Sequence, residues 1–155
     1  MGKTVLITGA SKGIGAATAI LFAQKGYNVV INYNNSYESA SLLARSLSSN
    51  GYSVMTHKAN VANKLEVDLM VKETLYKYGS LDILVNNAGV AYQGLITETD
   101  EIDFDRIIDV NLKGTFNCCK AVAPSMISRQ AGKIINISSM WGQVGASCEV
   151  AYSAS

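Results

Sequence analysis

A doubly wound parallel α/β fold is predicted by three features of the chain. Short apolar runs alternate regularly with helical stripes, and the runs are continuously apolar instead of alternating with polar residues, as strands covered on both faces require. Polar and glycine residues then gather where each run ends: Gly9, Asn32, Asn60, Asn86 and Ser139 all fall at or just past the carboxyl end of a predicted strand. That is the edge at which open α/β sheets bind ligands.

The elements follow in order. Thr4 to Thr8 is β-branched and apolar and feeds into Thr8-Gly9-Ala10-Ser11-Lys12-Gly13-Ile14-Gly15. A strand, a glycine turn and a helix start make a phosphate site, because free N–H groups and the positive end of the helix dipole face an anion. Gly9 can leave the strand sharply, and Gly13 and Gly15 carry no Cβ to obstruct a pyrophosphate or to hold the helix off the sheet. Ile14, Ala17, Thr18, Leu21 and Phe22 recur at helical spacing, and Gly26 closes that first helix.

Asn28 to Asn32 is a second strand, followed by a helix with Ala40, Leu43, Ala44 and Leu47 on one face and Asn50-Gly51 at its end. Ser53 to Ala59 is a third strand. The next helix opens on Asn63 and Glu66 in capping-box spacing, carries Val67, Met70, Val71, Thr74, Leu75 and Tyr78 inward, and stops at Gly79. Leu81 to Val85 is the fourth strand. A long helical region then places Phe104, Ile107, Ile108, Leu112, Phe116, Cys119, Met126 and Ile127 on its apolar face, bent or divided near Gly114 and Pro124. Lys133 to Ile137 is the fifth strand. No linker, repeat or low-complexity segment interrupts the pattern, so residues 1–155 read as one domain.

Composition narrows the partners. The 155 residues are 48% hydrophobic and 16% charged with a net charge of +1, and no Lys/Arg run marks a nucleic acid or an anionic membrane as partner. The apolar stretch Ala16 to Ala23 is too short to span a bilayer and lacks the frame of a signal peptide, so the chain reads as cytoplasmic. Cys118, Cys119 and Cys148 fit neither a disulfide framework nor zinc spacing, and His57 has no second candidate ligand near it in sequence. No metal site is expected, and the thiols are expected to be reduced, with Cys119 in a core and Cys148 in a loop.

Thr8-Gly9-x-x-x-Gly13-Ile14-Gly15, Asn86-Asn87-Ala88-Gly89 after the fourth strand, Asn111 in the long helix, Ser139 after the fifth strand, and Tyr152 stand in one order. With these marks the chain resembles the short-chain dehydrogenase/reductase family along all its residues. The resemblance implies a Rossmann-type sheet whose last family portion lies beyond Ser155. It implies that Gly9, Ser11, Lys12, Gly13, Ile14, Gly15, Asn32, Asn60, Val61, Asn87, Ala88 and Gly89 bind the cofactor. It further implies that Ser139 hydrogen-bonds the substrate oxygen, that Tyr152 transfers the proton, and that Asn111 holds a water of a proton relay where its helix bends.

Tyrosine is a poor proton donor at its ordinary pKa of about 10. In the family a lysine four residues later stabilises the phenolate, and its place here is the residue after Ser155. The chain as given is therefore expected to be an N-terminal portion, with negligible catalysis of its own, a frayed Tyr152 turn, and an uncovered fifth strand exposing Ile134, Ile135 and Ile137.

No acid follows the second strand before Glu38, and Lys12 stands where the extra phosphate of NADP would sit, so NADP(H) is the expected cofactor. Asn60 departs from the aspartate often found there. The Lys12 loop, Asn32 and Leu81 to Gly89 resemble 3-oxoacyl-carrier-protein reductases, which implies an oxidoreductase of fatty acid biosynthesis that reduces a small-molecule or carrier-bound 3-oxoacyl thioester and assembles as a homo-oligomer. Trp141 to Val150 departs from that group's pattern and resembles relatives acting on a protein-borne ketone; sugar or polyol dehydrogenases share the core. A non-catalytic dinucleotide-binding protein is the reading from another class.

Overall fold

The computed structural model describes residues 2–155. Five strands, β1 (Thr4–Ile7), β2 (Asn28–Tyr33), β3 (Val54–Lys58), β4 (Ile83–Asn86) and β5 (Lys133–Asn136), form one sheet in the order β3-β2-β1-β4-β5. Every pairing is parallel. The chain winds outward from β1 to β3, returns to β4 on the other side of β1, and ends at β5, so the order reverses beside β1. Ligand crevices open at such a reversal.

Helices cover both faces. Val5, Ile7, Val29, Ile31, Ile83 and Val85 pack with Ala19 and Ala23 of α1 (Gly13–Gln24) and with Ala40 and Leu47 of α2 (Tyr37–Ser49). Leu6, Val30 and Leu84 point the other way, onto Val67, Met70 and Val71 of α3 (Lys64–Tyr78) and onto Cys118, Val122 and Met126 of α5 (Gly114–Ser128). Alternate strand residues thus enter two different cores, which explains why the strands are apolar throughout.

The face of α1 differs from the sequence expectation. Its buried residues are Gly15, Ala19 and Ala23, while Ile14 and Leu21 are exposed and Phe22 is half-buried. Small side chains spaced four apart let the helix lie close against the sheet, and the bulky ones face away. The α2 and α3 faces agree with expectation, with Leu43, Ala44 and Leu75 at their half-buried margins. At the head of α3, Asn63 Oδ1 accepts from Leu65 N at 3.0 Å, but Glu66 reaches past the capping-box partner to the backbone of Asn60. Gly79 closes α3 at φ 77°.

The long helical region also differs. A 3₁₀ turn (Ile96–Glu98) precedes α4 (Glu101–Ile107), which runs through a π-helical segment, Ile108–Lys113, into α5. A π turn carries one extra residue, which rotates everything beyond it by about 100° relative to a 3.6-residue stripe. Ile107, Gly114, Asn117, Cys118, Val122 and Met126 are accordingly buried, whereas Phe104, Leu112, Phe116 and Ile127 are exposed. Cys118, not Cys119, is the core thiol, and burial with Cys119 beside it pushes its pKa up to about 12. Pro124 lies inside α5 without dividing it; the proline is exposed, and the division falls wholly in the π segment.

β5 is an edge strand whose Ile134 and Ile135, with Ile137 just past its end, are about 40% exposed, at 41%, 40% and 42%. Two short helices, α6 (Trp141–Val144) and α7 (Val150–Ala154), follow it. Tyr152 sits within α7 as part of a formed helical turn, where the sequence suggests fraying. Among the described residues no helix is long and apolar enough to cross a membrane, and no three His, Cys, Asp or Glu side chains cluster as metal ligands.

Candidate active site

The carboxyl ends of β1, β2 and β4 are tied together by side chains that the sequence places there. Thr8 Oγ1 accepts from the N–H groups of Asn87 at 2.9 Å and Ala88 at 3.0 Å. Asn87 Nδ2 returns hydrogen bonds to the carbonyls of Thr8 at 2.9 Å and Gly9 at 3.1 Å. Asn32, almost wholly buried, accepts from Gly9 N at 3.1 Å and donates to Ala59 O at 2.9 Å. The glycine turn is therefore held from both neighbouring strands. Asn32 and Asn87 brace it with the same amides that the sequence assigns to the cofactor.

Close approach requires the glycines. Gly9 has φ 61°, and a Cβ there would lie 2.8 Å from Ala88 Cα. A Cβ on Gly15 would lie 2.8 Å from both Ala10 Cα and Gly9 O, so Gly15 serves by letting α1 lie against the turn. Gly13 opens α1 at φ 59° in free space. The helix receives no side-chain cap from Lys12 and has no acid in its first turn, which leaves its leading N–H groups for an anion. Lys12 is exposed at that helix start.

Two clefts meet along this edge. The first, about 450 Å³, is lined by Gly9, Ser11, Lys12, Ile14, Asn32, Asn60 and Val61, with Asn34, Asn35 and Ser36 on its outer side. The second, about 460 Å³, holds Asn111, Ser139 and Tyr152. Ile14, Asn87, Ala88, Gly89 and Val90 line both, so the two clefts form one elongated trough with a shared wall. Sequence positions as distant as Ser11 and Tyr152 are thereby brought to one surface.

A family model for short chain dehydrogenases matches residues 3–155. The chain belongs to that family. It is 44% identical over 145 residues to the 3-oxoacyl-[acyl-carrier-protein] reductase FabG of Staphylococcus aureus, covering 94% of this chain and 59% of that protein. It is 42% identical over 152 residues to the 3-oxoacyl-[acyl-carrier-protein] reductase of Synechocystis, covering 98% and 62%. With the FabG of Thermotoga maritima it shares 40% identity over 154 residues, covering 99% and 62%. The chain thus spans about three fifths of the length of these curated relatives.

Within the family trough, the π segment sets Asn111. Its Oδ1 accepts from Val90 N at 2.8 Å, and its Nδ2 donates to Val90 O at 3.0 Å and to Ser155 Oγ at 2.8 Å. Ser155 Oγ donates in turn to Tyr152 O at 3.0 Å, so one amide joins the Val90 loop to the helix carrying Tyr152. Asn111 is half-buried, and the π segment in which it lies turns its amide toward the trough, where both its oxygen and its nitrogen are engaged. Ser139 Oγ accepts from Trp141 N at 3.2 Å, which leaves its hydroxyl hydrogen available to an acceptor in the cleft.

Two supporting contacts go beyond the sequence reading, in which Glu66 figures only in the capping box and Asn117 is not singled out. Asn117, inside α5, donates to Val61 O at 3.0 Å and Ala62 O at 3.4 Å, and Glu66 Oε2 accepts from Asn60 N at 2.7 Å. A polar residue at a buried helix position is the signal that would have found Asn117. The register shift at the π segment hides that position from a 3.6-residue count.

Proposed function

We propose that this chain forms the cofactor trough and the Asn111, Ser139 and Tyr152 cluster of an NADP(H)-dependent oxidoreductase that reduces a 3-oxoacyl thioester to the secondary alcohol. The single observation that carries this reading is the trough itself, in which an uncapped helix start at one end and a tyrosine with a serine at the other share one wall. The trough fits a dinucleotide, because Gly9 and Gly15 let Ala88 and α1 lie close against the turn, and Gly13 opens the helix start with free space beside it for a pyrophosphate. When bound there, the nicotinamide supplies the hydride that the carbonyl carbon accepts.

The side chains have distinct tasks. Gly9, Ser11, Gly13 and Ile14 present the turn and helix start to the pyrophosphate, and Lys12 supplies a cation at the mouth. Asn60, Val61, Ala88 and Gly89 shape the walls along the dinucleotide. Ser139 donates its free hydroxyl hydrogen to the carbonyl oxygen, and Tyr152 delivers the proton to that oxygen as the alcohol forms. Asn111 holds Tyr152 and the Val90 loop in register. The names of the three relatives support the acyl-carrier-bound substrate.

The test is NADPH oxidation with a 3-oxoacyl thioester, measured on a polypeptide extended to the relatives' length. Tyr152→Phe should lower turnover by about 10²–10⁴-fold while NADPH binding survives. Near-parental turnover in that variant would remove Tyr152 as proton donor. Nucleotide binding without any carbonyl reduction by the parent would favour a non-catalytic dinucleotide-binding protein.

A further inference from the structure

Asn60 and Val61 line the first cleft from the turn Asn60-Val61-Ala62, which belongs to no regular element and needs something to hold it. Two helices grip it from different directions. From α3, the half-buried Glu66 carboxylate accepts the Asn60 N–H at 2.7 Å through Oε2 and the Asn63 side-chain amide at 2.9 Å through Oε1. From α5, the buried Asn117 donates to Val61 O and Ala62 O. Asn60 completes the turn by accepting Ala62 N at 3.0 Å on its own Oδ1. Gly114, three residues before Asn117, lets Val61 seat against the helix, since a Cβ there would lie 2.6 Å from Val61 Cγ2.

We propose that Glu66 and Asn117 are positioning residues that preorganise the 60–62 turn to receive the nucleoside end of the cofactor remote from Tyr152. The inference rests on the dinucleotide reading above and adds to it which end of the ligand these residues serve. A dinucleotide with its reacting end beside Ser139 and Tyr152 and its pyrophosphate at the start of α1 must place its other nucleoside in the first cleft. Asn60 and Val61 of that turn form a wall of the cleft and are absent from the lining of the second. Neither Glu66 nor Asn117 lines either cleft, so each acts only through the backbone it holds. A turn left loose would have to be ordered on binding, which lowers affinity without removing any direct contact.

The probe is adenosine 5′-diphosphate, titrated into the parent protein, Asn117→Leu, Glu66→Ala and Glu66→Gln, with amide hydrogen exchange measured on the free proteins. Asn117→Leu keeps the volume and removes the donor. Glu66→Ala removes the acceptor, and Glu66→Gln retains one. Asn117→Leu and Glu66→Ala should each weaken the probe about tenfold, the equivalent of about 1.4 kcal/mol. Both should also speed exchange at Asn60 and Ala62, and Glu66→Gln should bind nearly as the parent does. Parental affinity in both Asn117→Leu and Glu66→Ala, or equal loss in Glu66→Gln and Glu66→Ala, would overturn the positioning role and leave the dinucleotide reading standing. Failure of the parent to bind the probe would overturn both. Because the two residues act from separate helices, a folding defect in one variant leaves the other to decide.

Discussion

In the proposed cofactor site, Gly15 and Lys12 divide the work of the glycine turn between shape and charge. A methyl group at Gly15 meets backbone at Ala10 Cα and Gly9 O, both 2.8 Å away, and backbone cannot swing aside as a flexible side chain could. Gly15→Ala should therefore push α1 off the turn, lower stability by about 1–3 kcal/mol, and weaken NADPH by more than about tenfold. Thermal melts and a nucleotide titration check both parts. The Lys12 side chain is exposed and makes no hydrogen bond or ion pair among the described residues, so Lys12→Ala, which keeps the backbone bond from Ala16 N to residue 12 O, should leave the melting temperature unchanged. Its effect should fall on NADPH alone, about tenfold by loss of a charge-assisted contact, with NADH within about twofold. Equal losses for the two nucleotides would exclude Lys12 as the residue that distinguishes them. At this scale the sequence was informative where a residue type has one plausible task, as with glycine beside backbone. It was less so for Asn32 and Asn87, whose amides serve the neighbouring strands, because an amide in sequence does not say which groups it will meet.

Elements were legible in number, order and type, and their faces were not always so. All five strands and the three helices between β1 and β4 stand where alternating apolar runs and glycine or asparagine stops put them. The face of α1 was misread because its contact surface is Gly15, Ala19 and Ala23, residues that add little to a hydrophobic stripe. The region from 101 to 128 was misread for another reason: the π segment inserts a phase change that no periodic pattern contains. That phase change decides which of two adjacent thiols, Cys118 and not Cys119, lies in the core. Cys118 is fully buried with its pKa raised to about 12, so it stays a protonated thiol at neutral pH, whereas Cys148 is half-buried in a loop at φ 63°. Timed labelling with a small maleimide at pH 7 should modify Cys148 first and leave Cys118 unmodified until the protein unfolds. Early labelling at Cys118 would place the helix in the phase that the unbroken stripe suggests.

Across the whole molecule, the two ends of the sheet carry different burdens, and a single carboxylate separates them experimentally. Opposite the trough, Asp82 precedes β4 and accepts Thr4 N at 2.8 Å, Ser80 Oγ at 2.9 Å and Arg129 Nη1 at 2.8 Å. Arg129 also donates to Leu81 O at 2.6 Å, and Lys133 N donates to Asp82 O at 2.9 Å. The starts of β1, β4 and β5 and the end of α5 thus converge on one residue. Burial alone would raise the Asp82 pKa, but the Thr4 N–H, the Ser80 hydroxyl and the Arg129 guanidinium outweigh it and hold the carboxyl below its ordinary value of 3.8. A folded value below the unfolded one means that the unfolded chain takes up the proton first as pH falls. The stabilisation is therefore complete above 3.8 and disappears as pH drops through the lower folded value. Asp82→Asn should reduce stability at pH 7 by about 1.5–3 kcal/mol, the range for hydrogen bonds to a charged group. The gap between parent and variant should close in denaturant melts taken below the folded value. NADPH affinity at pH 7 should match the parent's, because the proposed nucleotide site lies at the other end of the strands. A gap that persists unchanged in acid would show that packing around Asp82, and not its charge, joins these four elements.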